Sequence, residues 1–166
     1  QTTALYDQRI ISAFEAGAAT SLRYGENPHQ EAQIIKNDLC IGVPHALQLH
    51  GKEMSYNNYL DADQAWMLMS ELVLHVEENV QGKQECTALV VKHGNPCGIA
   101  TAPVLKQALS WAIDGDARSA FGGIVALSKT VNEETAQLLT EKFYEIILAP
   151  DFDAEALKVL RAKKNL

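Results

Sequence analysis

The stretch TALVVKHGNPCGIA, residues 87–100, decides the fold. Its first five residues are β-branched or apolar almost without break, which predicts a strand buried on both faces. Gly94, Asn95 and Pro96 then supply a turn. Lys92 and His93 stand side by side where the strand runs out. Adjacent side chains on an extended chain point to opposite faces, so this pair serves one site only if the backbone turns between or just after the two residues. Open α/β sheets bind ligands at the carboxyl ends of their strands, which places the pair at a cleft. Imidazole suits proton transfer near neutral pH, and an ammonium beside it offers a proton or a positive charge to a developing oxyanion. The same two residues also read as a surface lysine and a histidine that hydrogen-bonds its loop.

Toward the C-terminus, a helix is expected to start near Thr101 or Ala102, with Pro103 in its first turn and Leu105, Ala108, Leu109 and Ala112 on one side. GGIVALS, residues 122–128, predicts a second buried strand. Asn132 caps a helix whose Glu133 and Glu134 suit the positive end of its dipole, with Ala136, Leu139 and Phe143 facing inward. EIILA, residues 145–149, predicts a third strand, and Asp153 opens a last helix through Leu157 and Leu160 to the basic end RAKKN.

Toward the N-terminus, Ala62, Ala65, Trp66, Met69, Leu72, Val73 and Val76 recur at three and four residues, predicting an amphipathic helix over 60–77 with its Trp and Met in the core. Residues 21–50 are rich in turns, with Gly25, Pro28, an Asn37-Asp38 pair, Gly42 and Pro44 between short apolar pieces such as AQII, so short strands or irregular structure are expected. Tyr6, Ile10, Ile11 and Phe14 have helical spacing within residues 1–20. Strand and helix alternate from residue 60 onward, which predicts a layered α/β fold with a mainly parallel sheet. The chain stops at Leu166, where the alternation calls for another strand, so a cut is expected there.

Bulk properties narrow the function. A chain of 166 residues can bury one core, and its net charge of −7 argues against a broad basic footprint for nucleic acid or anionic membrane. Cys40, Cys86 and Cys97 contain no CxxC pair and suggest neither a disulfide framework nor a zinc knuckle. No apolar run approaches the roughly 18 residues of a membrane span, and no signal-peptide layout opens the sequence. A cytoplasmic protein is expected.

Other stretches carry chemistry less specifically. In LRYGENPHQ, residues 22–30, Arg23 is suited to grip a phosphate or carboxylate, and Tyr24 offers a flat face to a heterocycle. In SAFGGI, residues 119–124, paired glycines let backbone approach a ligand and Phe121 can pack against a ring. Such loops are as readily a surface arginine and a tight strand entry. In SYNN, residues 55–58, Asn57 or Asn58 is first a candidate helix cap and second a ligand contact. One His and one Cys, His93 and Cys97, do not make a metal site, so Cys97 is expected as a buried structural thiol.

In order and spacing, LRYGENPHQ, HGKEMSYNNYLDAD, VVKHGNPCG, SAFGGIVAL, EIILAP and EALKVLRAKKN closely resemble the first half of the transformylase region of the AICAR transformylase/IMP cyclohydrolase family of purine biosynthesis enzymes. The resemblance implies a layered α/β/α, cytidine deaminase-like fold, duplicated in the family. Residues 1–20 would be the linker helix leaving a cyclohydrolase domain, and 21–166 the first subdomain of the transformylase. The family transfers a formyl group from 10-formyltetrahydrofolate to the 5-amino group of the nucleotide AICAR. On that pattern Lys92 and His93 are catalytic, Arg23 binds the phosphate, and Tyr24 meets the base. Asn58, Phe121, Gly122 and Glu145 contact substrate. Deaminases of this fold use PCxxC zinc ligands, but Gly98, Ile99 and Ala100 follow Cys97 here, so no catalytic metal is expected. Gly94 stands where relatives often carry a larger residue. The remaining nucleotide and folate contacts would come from the second half of the transformylase and the other subunit of a homodimer. A non-catalytic nucleotide-binding or scaffolding domain, and a zinc-dependent deaminase, are the alternative readings.

Overall fold

The computed structural model describes residues 19–36, 42–79 and 85–163. The helix expected in residues 1–20, the Asn37-Asp38 turn, Cys40 and the end of the basic tail lie outside them, except that Ala19 and Thr20 belong to a strand. The chain forms two compact units, residues 1–47 with 53–59, and residues 48–52 with 60–166.

In the first unit, strands β1 (Ala19–Ser21) and β2 (Gln33–Ile35) pair antiparallel, and a 3-10 turn follows at Val43–His45. The intervening loop is closed by its own hydrogen bonds. Leu22 N–H donates to Ala32 O at 2.9 Å and Gly25 N–H to Gln30 O at 2.7 Å. The Gln30 side-chain oxygen accepts from the Asn27 N–H at 2.8 Å and from Asn27 Nδ2 at 3.2 Å. Helix α1 (Tyr56–Asn79) starts in this unit and continues in the second. Its opening is a reciprocal cap: Ser55 Oγ accepts from Asn58 N–H at 3.3 Å, while Asn58 Oδ1 accepts from Ser55 N–H at 3.1 Å and Ser55 Oγ at 2.9 Å. The cap expected of Asn57 or Asn58 is therefore built on Ser55, with Asn58 reaching back to it.

The second unit is a four-stranded sheet in the order β4-β3-β5-β6 with helices around it. Its elements after α1 are β3 (Cys86–Lys92), β4 (Asn95–Ala102), α2 (Leu105–Gly115), β5 (Ile124–Leu127), α3 (Glu133–Thr140), β6 (Ile146–Leu148) and α4 (Ala154–Arg161). Ala88, Val90, Val125 and Leu127 face one core with Leu109 of α2, Leu139 of α3 and Leu160 of α4. Leu89, Val91, Ile124 and Ala126 alternate with them and are equally buried, so both faces of the sheet are covered. On α1, Ala62, Ala65 and Met69 are buried, but Trp66 is only half-buried.

The mainly parallel sheet is a correction. β3 pairs antiparallel with β4 and with β5, and only β5 and β6 are parallel. The cause is a hairpin where the sequence suggested a turn leading into a helix. His93 and Gly94 both have positive φ, 52° and 70°, the pattern of a two-residue primed turn, and Lys92 pairs with Asn95 directly across it. A two-residue loop can join only antiparallel neighbours. The helical crossovers after β4 and β5 keep β4, β5 and β6 running one way, but β3 lies reversed between β4 and β5. Thr101 and Ala102 accordingly end a strand, and α2 begins only at Leu105. Pro96 is tolerated because β4 is an edge strand, and the register slips between Val90 and Val91, leaving Cys97 as the extra residue of a bulge.

Candidate active site

The end of the sheet carrying Lys92 gathers several of the expected residues. β3 ends there, while β4, β5 and β6 begin there, so the expectation of a strand carboxyl end holds for β3 alone. Lys92 Nζ donates to the Phe121 carbonyl at 2.7 Å. A side-chain carbon placed on Gly122 would lie 3.9 Å from the same ammonium, and Gly122 itself has φ 71°, a conformation that favours glycine. Gly122 N–H donates to Phe143 O at 2.8 Å and Glu145 N–H to Gly123 O at 3.0 Å, continuing the β5–β6 pairing back to the site. A side chain on Gly123 would reach 2.7 Å from Val91 O, so this entry to β5 needs glycine for close approach. Lys92, Phe121, Gly122 and Glu145 are thus brought together.

Phe121 and Phe143 form a tilted pair with ring centroids 5.8 Å apart, and they are 57% and 38% exposed. The inward position expected for Phe143 is a second correction: α3 stops at Thr140, so the i,i+4 step from Leu139 no longer applies. Exposed aromatics beside an ammonium present a flat apolar face next to a positive charge, a match for a planar heterocycle on which negative charge develops. A lysine carries three N–H donors, so one bond to Phe121 leaves capacity for a ligand oxygen.

His93 is exposed at the hairpin tip, and its carbonyl accepts from Asn95 Nδ2 at 2.9 Å. At Gly94 an added side chain would collide with the end of the Gln64 side chain of α1. Cys97 is only partly buried, against the expectation of a buried thiol. Desolvation is the main cause raising its pKa; Asp116 adds to the rise and Lys92 opposes it. Asp116 is held below the usual carboxylate range, chiefly by the hydrogen bond from Ser119 Oγ at 2.6 Å. Among the described residues no group of three or more His, Cys, Asp or Glu is placed to hold a metal ion.

Arg23, Tyr24 and Asn58 belong to the first unit. The Arg23 guanidinium lies over the Tyr24 ring, 5.0 Å from its centroid, and donates to the Tyr24 hydroxyl at 3.2 Å. A long contact of 3.5 Å from Asn57 Nδ2 to Glu26 O ties the start of α1 to this loop. No described helix is long and apolar enough to cross a membrane.

Fold and site together define a mixed-sheet α/β domain presenting an ammonium, an imidazole and an aromatic pair at one end of its sheet. The whole chain, residues 1–166, matches the family model described as the AICARFT/IMPCHase bienzyme, and the chain belongs to that family. It is 48% identical over 147 residues to the bifunctional purine biosynthesis protein PurH of Halalkalibacterium halodurans, covering 87% of this chain and 27% of that protein. The protein of that name from Bacillus subtilis is 47% identical over 88% of this chain and 27% of its own length. The one from Thermoanaerobacter sp. strain X514 is 42% identical over 99% of this chain and 33% of its own length. The chain thus spans a third or less of these curated relatives. Among solved structures, a Desulfotalea psychrophila protein described as a formate dehydrogenase accessory protein shares the fold alone, with TM-score 0.50 and 9% identity over 60% of this chain and 46% of that one.

Proposed function

We propose that this chain supplies part of the site at which a formyl group passes from 10-formyltetrahydrofolate to the 5-amino group of AICAR, one of the two activities of a bienzyme that also closes the product to IMP. One observation carries the reading. The Lys92 ammonium is held by the Phe121 carbonyl beside an exposed aromatic pair, at the strand end that leads into His93. Membership of the bienzyme family supports it.

The folate supplies the formyl group. The amine that accepts it is a poor nucleophile, because its lone pair is delocalised into the imidazole carboxamide. His93 takes the proton from this amine as it attacks the formyl carbon. Lys92 stabilises the oxyanion of the tetrahedral intermediate or protonates the departing folate nitrogen. Arg23 binds the nucleotide phosphate and Tyr24 its base, while Asn58, Phe121, Gly122 and Glu145 complete the nucleotide contacts. Within this reading, residues 1–20 are the linker from a cyclohydrolase domain. Residues 21–166 are the first of two cytidine deaminase-like subdomains, a layering supported by the coverage of both sheet faces. The rest of the site comes from the second subdomain and the other subunit of a cytoplasmic homodimer.

The test is His93→Ala in the full-length protein, with formyl transfer and ring closure assayed separately. Transfer should slow by roughly 100- to 10,000-fold, about 3 to 5 kcal/mol of barrier, while closure persists. Near-normal transfer removes His93 from the mechanism. Residues 1–166 alone should show no transfer, and full activity from them would overturn the shared site.

A further inference from the structure

The peptide group joining Phe121 to Gly122 is gripped from both sides. Its carbonyl accepts from Lys92 Nζ at 2.7 Å, and its N–H donates to Phe143 O at 2.8 Å. A peptide group is planar, so fixing the N–H fixes the carbonyl opposite it. Gly122, at φ 71°, is the kind of residue about which such a plane can rotate at little steric cost. If the plane turned, the ammonium would lose its acceptor. The Phe143 ring also packs on the Phe121 ring at 5.8 Å, restraining the same group through its side chain. Phe143 is 38% exposed and is not part of the buried core, so packing the domain does not account for it.

We propose that Phe143 is a positioning residue for Lys92: its carbonyl and ring clamp the 121–122 peptide plane, whose carbonyl in turn aims the ammonium. The inference rests on the reading of Lys92 as part of the formyl-transfer site. Hydrogen bonds running in series, from ammonium to carbonyl and from N–H to carbonyl, polarise one another, which strengthens the chain as a unit.

A double-mutant cycle in the full-length protein tests it. Phe143→Ala should lower kcat for transfer by about tenfold when Lys92 is present and cause no further loss in a Lys92→Met background. Phe143→Tyr should restore the rate to within about threefold of the parent, because it keeps the ring pair. Hydrogen exchange at the Gly122 amide should quicken in Phe143→Ala, with the Val90 and Val125 amides unchanged, a readout that general loosening of the fold would not give. Equal losses in both backgrounds, or unaltered exchange at Gly122, would overturn the clamp and leave the formyl-transfer reading standing. Unchanged transfer in Lys92→Met would overturn both.

Discussion

The two units present a cation with an aromatic partner in different ways. Arg23 and Tyr24 ride on a loop between two three-residue strands, held by local bonds through Gln30 and Asn27. Lys92, Phe121 and Gly122 stand at the end of a sheet whose central residues are wholly buried. The loop can be reshaped without disturbing a core, whereas the sheet end inherits the rigidity and the steric demands of everything packed beneath it. Damage at the sheet should therefore appear as lost stability, and damage at the loop as lost binding.

The largest expected effect is on the sheet side. A side chain on Gly98 would collide with the Ala112 carbonyl of α2, a backbone atom that cannot swing aside. Gly98→Ala should destabilise the protein by about 3 kcal/mol, the upper end of overpacking, measured by denaturant unfolding. Unfolding as in the parent would show that α2 gives way and that the sheet is soft at this edge.

Next is an alkaline effect. Tyr144 is fully buried, its hydroxyl has no hydrogen-bond partner among the described residues, and burial, with Glu141 adding, pushes its pKa up to about 12. The folded state therefore keeps a proton that the unfolded chain releases at about 10. Stability should be intact below pH about 10 and fall by roughly 2–3 kcal/mol as pH rises toward 12. Tyr144→Phe should remove this alkaline loss and match or exceed the parent at neutral pH, since an unpaired buried hydroxyl stabilises nothing. A parent with no such loss between pH 10 and 12 would refute the assignment.

On the loop side, Arg23→Ala should weaken nucleotide binding by about 2 kcal/mol without altering unfolding, with part of the loss recovered for a substrate lacking its phosphate. Equal losses for both substrates would deny Arg23 that role. The smallest effect belongs to Gln30→Ala, which removes two bonds to Asn27 and should weaken the same binding by about 1 kcal/mol. A change in global unfolding larger than the change in binding would erase the contrast between the two units.

Much of the second unit was legible. Apolar runs marked β3, β5 and β6, and Asn132 caps α3 as its position suggested, accepting from Thr135 N–H at 3.0 Å and Thr135 Oγ1 at 2.7 Å. β4 was not legible, because Asn, Pro and Gly read as turn formers while an edge strand with a bulge accepts all three. Losing β4 also cost the strand directions, since a hairpin reverses the chain and a helical crossover does not. Of the candidate site, the Lys92–Phe121–Gly122 grouping sits where separate motifs converged on one end of the sheet. Phe143 was missed because α3 ends without a Gly or Pro stop, so helical spacing carried past its true end and turned the ring inward on paper.

The reversal of β3 has a consequence for charge. Because β4, β5 and β6 all begin at the Lys92 end, the helices that follow them start at the opposite end, where Asn132, Glu133, Glu134, Asp153, Ala154 and Glu155 line a shallow cleft of about 500 Å³. The partial positive ends of α3 and α4 are thus met by the protein's own carboxylates, while α2 ends at Gly115, close to Cys97 and Gly98 near the other edge. An anion arriving at the sheet gets no pull from the dipoles of α2, α3 or α4 where Lys92 waits. The attraction that side chains such as Lys92 supply there is removable one residue at a time.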